Sequence, residues 1–389
     1  MKRSLFLVLF FLFVSLSFAQ HRGPEQMEIS HQPYLQGLTD SSVSIVWTTN
    51  KPSVGWVEVA PDDHSHFYGK ERPRFFDVAH GLKRVDTLHR VQLRGLTPNT
   101  HYRYRVLSQE VLTHEGFYVQ YGRMVGSNVY TRKPFTFKTA GERSELNFFV
   151  VNDIHERNDL LHDLFSLNDL PSTDFVVFNG DMVNSMRSEK QMFSAFLDSA
   201  ALLLGGKIPF YYARGNHETR GPFAAEYPAY FPTDNGKLYY AFSYGDAIFV
   251  VLDSGEDKPD SDMEYSGITD MDRYRSEQAE WLGELVQTDG FRSAKYKIVI
   301  SHMPPFGTWH GSIDLGEKVL PLLNDAGIDI MLCGHLHTHL IQPAGTVCRF
   351  PVIVNSNENL LKVTIDSQTA RFRVLNRQGK EVDRVVIKK

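Results

Sequence analysis

The stretch Phe148-Phe149-Val150-Val151-Asn152-Asp153-Ile154-His155 decides how this chain folds. An apolar run of four residues ends on a carboxylate and an imidazole two positions apart. A run of that length bounded by polar groups reads as a strand buried on both faces. The pattern recurs four more times. Residues 175–178 precede Gly180-Asp181, and residues 208–213 precede Gly215-Asn216-His217-Glu218. Residues 297–300 precede Ser301-His302, and residues 328–333 precede Gly334-His335-Leu336-His337. In open α/β sheets the edge past the C-terminal ends of the strands is where ligands bind.

Between these runs lie helical faces: Leu160, Leu161, Leu164 and Phe165; Phe193, Phe196 and Leu197; Trp281, Leu282 and Leu285. Asp153 and Asp181 are 28 residues apart (181 − 153), close to one βαβ unit of roughly 30 residues. After His339 the chain returns to strands. Upstream, from about residue 27 to 139, it reads as all-β, with runs at 42–47, 54–59, 87–93, 102–106 and 135–139 and turn chemistry at Gly95 and Thr97-Pro98-Asn99. Strands at that spacing without helices between them predict a sandwich. Residues 140–145 form a polar hinge, and 64–81 and 109–128 read as long connections.

Asp, His and Asn offer only oxygen and nitrogen donors, a set suited to zinc, manganese, iron or cobalt. Asp153, His155, Asp181, Asn216, His302, His335 and His337 are too many ligands for one tetrahedral ion. They suit two ions that share a carboxylate. Glycines 180, 215 and 334 are read as letting the backbone turn sharply beside them. The nine histidines outside these clusters and their neighbours His310 and His339 read as surface or packing residues.

The 389 residues carry a net charge of −5, so no basic field draws the protein to nucleic acid. Residues 1–19 read as a secretory signal: Lys2-Arg3, an apolar run over 5–14, and Ser17-Phe18-Ala19 as the cleavage site. The expected product is secreted or periplasmic, with no membrane span after cleavage. Cys333 and Cys348 read as two buried hydrophobes or as one bridge, and the sequence leaves both open. The acidic stretch 253–272 reads as a solvated loop or as a lid; Asp257, Asp260 and Asp262 lack a full calcium-loop pattern. Oligomeric state is not encoded in any visible pattern.

Taken together, the five motifs resemble the signature of the calcineurin-like metallophosphoesterases. The front region, with residues 89–104 like a fibronectin type III corner, resembles the N-terminal domain of purple acid phosphatases. The resemblance implies a β-sandwich over 27–139 and a four-layer α/β/β/α catalytic domain over 146–389. It also implies two divalent ions (iron, zinc or manganese), one on Asp153, His155, Asp181 and His337, the other on Asp181, Asn216, His302 and His335. The implied reaction is hydrolysis of a small phosphate monoester by a metal-bridging hydroxide, with His217 as general acid and Glu218 orienting Asn216 or His217. His310 stands where the family places a further phosphate-contacting histidine. Trp309 walls the pocket or packs under a loop, and Arg220 is a candidate cation for the substrate.

Two departures from the purple acid phosphatase pattern stand out. Asn184 replaces the tyrosine of Gly-Asp-x-x-Tyr, and His155 supplies an imidazole which that family lacks. A colourless or weakly coloured protein is expected. The alternatives are a phosphodiesterase using the same site, and an exported binding or adhesion protein on a non-catalytic scaffold.

Overall fold

The computed structural model describes residues 26–127, 132–141, 143–263 and 267–389. The expected leader, residues 1–19, lies outside the described residues.

Five strands of the front region supply its core. Ser42–Pro61 is one long strand. Its first half pairs with Ile29–Gln36 and Asp86–Arg94, its second with His101–Glu115, which in turn pairs with Phe135–Lys138. The inner faces close around Trp47, Leu93 and Tyr104. At the expected corner Leu96 and Tyr102 are buried, and Tyr102 Oη accepts the Thr97 N–H at 2.9 Å. The stretch 109–128 is not a loose connection: as far as Gly126 it is an extended hairpin, Tyr118–Gly126 returning on His101–Glu115. Both strands are largely exposed there, so they lack the apolar alternation that marks a half-buried strand.

Two sheets make the C-terminal half. The first runs, in spatial order, Glu381–Lys388, Thr369–Asn376, Asn359–Asp366, Glu145–Val151, Phe175–Asn179 and Phe210–Ala213. The second contains Tyr240–Tyr244, Ala247–Leu252, Tyr296–Ser301, Ile330–Cys333, Val352–Val354 and Leu340–Gln342. Every residue of Phe175–Asn179 and of Ala247–Leu252 is buried, as parallel strands covered on both faces require. Phe148, Phe175, Phe249 and Ile300 fill the space between the sheets. Helix Asn158–Ser166, with Leu160, Leu161, Leu164 and Phe165 buried, covers the outer face of the first sheet together with residues 189–204. Helices Met271–Leu285, His310–Lys318 and Leu320–Asp325 cover the second. That is the four-layer α/β/β/α arrangement.

Helix Met271–Leu285 departs from the expected apolar face. Of Trp281, Leu282 and Leu285 only Leu282 is fully buried, and Arg275 and Gln278 are buried beside it. Arg275 holds Asp314 and the Ser254 and Glu256 carbonyls, and Gln278 holds the Asp253 backbone. The polar face exists to fix residues 253–257.

The front and C-terminal regions share one sheet, because Ile29–Gln36 pairs in parallel with Phe210–Ala213 at Gln36 and Phe210. Three buried tyrosine hydroxyls cross the junction: Tyr34 to Tyr230 O, Tyr104 to Gly206 O, and Tyr211 to Leu38 O. The two cysteines are buried free thiols. No helix among the described residues is long and apolar enough to cross a membrane.

Candidate metal centre

The five motifs all lie just beyond C-terminal strand ends, three from the first sheet and two from the second. Asn179 ties the sheets together there, its Nδ2 donating to Ser301 O at 3.2 Å and Leu332 O at 3.3 Å. Two groups of ligand atoms result. Asp153, His155, Asp181 and His337 form one, and Asp181, His302 and His335 the other; within each group the atoms lie within 4.8 Å of one another. Asp181 belongs to both. Asn216 joins the second group, its Oδ1 3.0 Å from His335 Nδ1.

Three observations show that these residues fit cations. His335 Nε2 is buried and has no hydrogen-bond partner among the described residues, although buried polar atoms are nearly always paired. His302 Nε2 lies 3.1 Å from Asp181 Oδ2, and His337 Nε2 lies 3.1 Å from Asp153 Oδ1 and from His155 Nε2. Ligand atoms crowd toward shared points. Finally, six of the nine non-glycine residues with left-handed φ among the described residues are here: Asp153, His155, Glu156, Asp181, His335 and His337. Each costs on the order of 1–3 kcal/mol, a strain that gathers at functional sites.

The motif glycines act mainly by leaving room. Only Gly180 has a left-handed φ, 81°. A Cβ on Gly215 would collide with the carboxylate oxygen and backbone nitrogen of Asp181, and one on Gly334 would lie 2.7 Å from Asp153 Oδ2. The expected role of the latter two, a sharp turn, is corrected to close approach.

Outer partners fix each ligand. His302 Nδ1 donates to Asn179 O at 2.8 Å, turning Nε2 inward. Asp153 Oδ2 accepts from Asn152 Nδ2 and His335 N, and Asp181 Oδ1 accepts from His217 N. Contrary to the expectation, Glu218 makes no hydrogen bond to Asn216 or His217. Its carboxylate accepts the backbone N–H of Asp181, Met182 and Gly215 and the Tyr212 hydroxyl. It therefore holds the loop that carries the shared ligand. Asn152, Asn179 and Tyr212 escaped the sequence reading; the two asparagines end apolar runs directly before Asp153 and Gly180, which is the signal they offer.

Charge is unevenly divided. Burial opposes ionisation of Asp181, but His302 and His217 outweigh it and hold the carboxyl well below the usual range. Burial likewise opposes charge on His302, yet Asp181 and Asp153 push it up to about 10. Burial, with His302 beside it, brings His335 down to about 4.

His217 lies at the rim. Its Nδ1 is 2.9 Å from Asn184 O, which can only accept, so Nδ1 carries hydrogen and Nε2 faces the cluster, 3.9 Å from Asp181 Oδ2. Arg220 Nη1 is 3.3 Å from that Nε2, while its Nε and Nη2 bind Glu256 and Nη2 also reaches Asp257. Trp309 is near the site, its ring 6.0 Å from that of His335. His310 is placed differently from the expectation: its Nε2 binds Asp272 Oδ1 at 2.7 Å, because helix His310–Lys318 packs on Met271–Leu285. His339 binds Val354 O and Asp383 as a structural tie. Asn184 Oδ1 lies 3.2 Å from His155 Nδ1.

A family model of the calcineurin-like phosphoesterases matches residues 146–339, and one of the purple acid phosphatase N-terminal domain matches residues 24–139. The chain is a calcineurin-like phosphoesterase with a purple acid phosphatase N-terminal domain. It is 24% identical to purple acid phosphatase 18 of Arabidopsis thaliana over 81% of this chain and 65% of that protein. It is 24% identical to the serine/threonine-protein phosphatase CPPED1 of Bos taurus over 48% of this chain and 59% of that protein. The phosphoesterase thus spans less than two thirds of the length of either relative. Its fold is similar to that of the purple acid phosphatase PPD1 of yellow lupin, with a TM-score of 0.65 at 16% identity over 92% of this chain and 74% of that one.

Proposed function

We propose that the protein is an exported, metal-dependent hydrolase of phosphate monoesters. The observation that carries this reading is the carboxylate shared between two convergent ligand groups, Asp181. Asp153, His155, Asp181 and His337 would hold one ion, and Asp181, Asn216, His302 and His335 the other. Two divalent ions, of zinc, manganese or iron, would supply positive charge to a phosphate and lower the pKa of water. The protein's own part is positioning and proton management. Glu218 fixes the loop of Asp181, Asn179 aims His302, and His217, whose Nε2 faces the cluster, would pass a proton to the departing alkoxide. The names of the relatives, both phosphatases, support a monoester. Export rests on the leader read at residues 1–19.

One observation favours a second reading, a phosphodiesterase. The cations that would meet the extra charge of a monoester are engaged: Arg220 by Glu256 and Asp257, and His310 by Asp272. Comparing 4-nitrophenyl phosphate with bis(4-nitrophenyl) phosphate separates the two. Faster monoester hydrolysis, lost with a chelator and restored by metal, is expected. Preference for the diester would install the second reading; no turnover of either by protein carrying two ions would sink both.

A further inference from the structure

Where the front region meets the catalytic half lies a cavity of about 400 Å³. Tyr211, Phe231, Tyr240, Phe242 and Trp281 form one part of its wall, Tyr211 stacking on Phe242 with ring centroids 3.6 Å apart, and uncharged polar side chains, Ser44 and Asn235 among them, form another. The front region contributes Gln36, which is 4% exposed. Its Nε2 is buried in the wall and has no hydrogen-bond partner among the described residues. A buried donor without an acceptor is costly, and a ligand that brings the acceptor removes that cost.

The cavity has the attributes of a small-molecule site. Such sites measure about 300–1,000 Å³, have apolar walls with few polar groups, and favour domain junctions. Charge narrows the occupant further. Among the described lining residues the one ionisable acid is Asp234, which accepts from Gln92 Nε2 at 3.1 Å, and neither lysine nor arginine lines the space. A phosphate ester would find no counter-charge there. Flat aromatic walls select a planar molecule, which loses little conformational freedom on binding. The site is separate from the metal centre: Tyr211 stands early in strand Phe210–Ala213, whereas Asn216 follows its end.

We propose that this cavity is a second ligand site, taking a flat, uncharged aromatic molecule with one hydrogen-bond acceptor, such as an aryl ketone, which meets Gln36. The test titrates the full protein with 1-acetonaphthone and with naphthalene, by calorimetry and by the rise in melting temperature. Saturable binding at one site is expected, with the ketone held about tenfold more tightly than the hydrocarbon, the worth of one hydrogen bond. Gln36→Leu should abolish that preference while keeping naphthalene binding. Ala241→Phe, which fills the cavity, should abolish both; Ser44→Leu fills it from the other side, should Ala241→Phe lose its cooperative melt. No saturable binding by the wild type, or binding untouched by a folded filling variant, overturns the site. Equal affinity for ketone and hydrocarbon overturns the role of Gln36.

Discussion

Substituting one methyl group, Gly215→Ala, isolates the geometry on which the centre depends. An added Cβ would stand 2.9 Å from Asp181 Cγ, and closer still to its Oδ1 and backbone nitrogen, where ordinary contact begins at 3.4 Å. The carboxylate must therefore retreat by at least 0.5 Å (3.4 − 2.9). It cannot do so freely. Asp181 Oδ1 accepts from His217 N at 2.9 Å, and Asp181 N donates to Glu218 at 2.9 Å. Overpacking of this kind costs about 1–3 kcal/mol, and the stiffer unfolded chain returns about 0.4–1 kcal/mol. A net loss of about 1–2 kcal/mol in a urea melt is expected. Function should suffer far more, since a shift approaching 1 Å costs roughly 10²-fold. The assay is kcat/KM on nitrophenyl phosphate, with metal content measured on the same sample. Gly283→Ala is the control: nothing lies within 4 Å of its Cβ, inside helix Met271–Leu285. There the same methyl should stabilise by about 0.5–1 kcal/mol and leave activity alone. A Gly215→Ala protein that keeps its metals and its rate within twofold would refute the close-approach argument.

His217→Ala should retain metal and lose about 10²–10⁴ in rate on alkyl phosphates but much less on nitrophenyl phosphate, whose leaving group needs no proton; equal losses on both would count against proton donation from Nε2. In metal-free protein His302 is protonated at neutral pH, because its pKa is raised to about 10, whereas His335, brought down to about 4, is neutral. Zinc binding near pH 7.5 should therefore release at least one proton per chain, and affinity should climb with pH; absence of release in a weakly buffered dye assay contradicts this. With Asn184 beside His155 in place of a phenolate, protein loaded with iron(III) should show no strong visible charge-transfer band, and Asn184→Tyr should create one. An intense band in the wild type would require a tyrosine ligand that the geometry does not provide.

The candidate metal ligands were legible because each depends on local order: an apolar run, then a donor at a strand end. Asp153, Asp181 and His302 could be placed without knowing which strands are neighbours. What escaped depends on distant contacts. Glu218 is adjacent to His217 in sequence, yet its oxygens serve the backbone of Asp181, 37 residues earlier. His310 carries the right chemistry for a phosphate, but its direction is set by Asp272 across a helix pair. Arg275 and Gln278 interrupt an apolar face because their partners, Asp253 to Glu256, arrive from another strand. The pairing of Gln36 with Phe210, which joins the front sheet to the catalytic one, leaves no local trace at all.

Anomalous X-ray scattering from crystals of the metal-loaded protein addresses the proposed dinuclear centre most directly. Two peaks about 3.5–4 Å apart are expected, one against Asp153, His155 and His337, the other against Asn216, His302 and His335, with Asp181 between them. A single peak, or peaks away from Asp181, would contradict it.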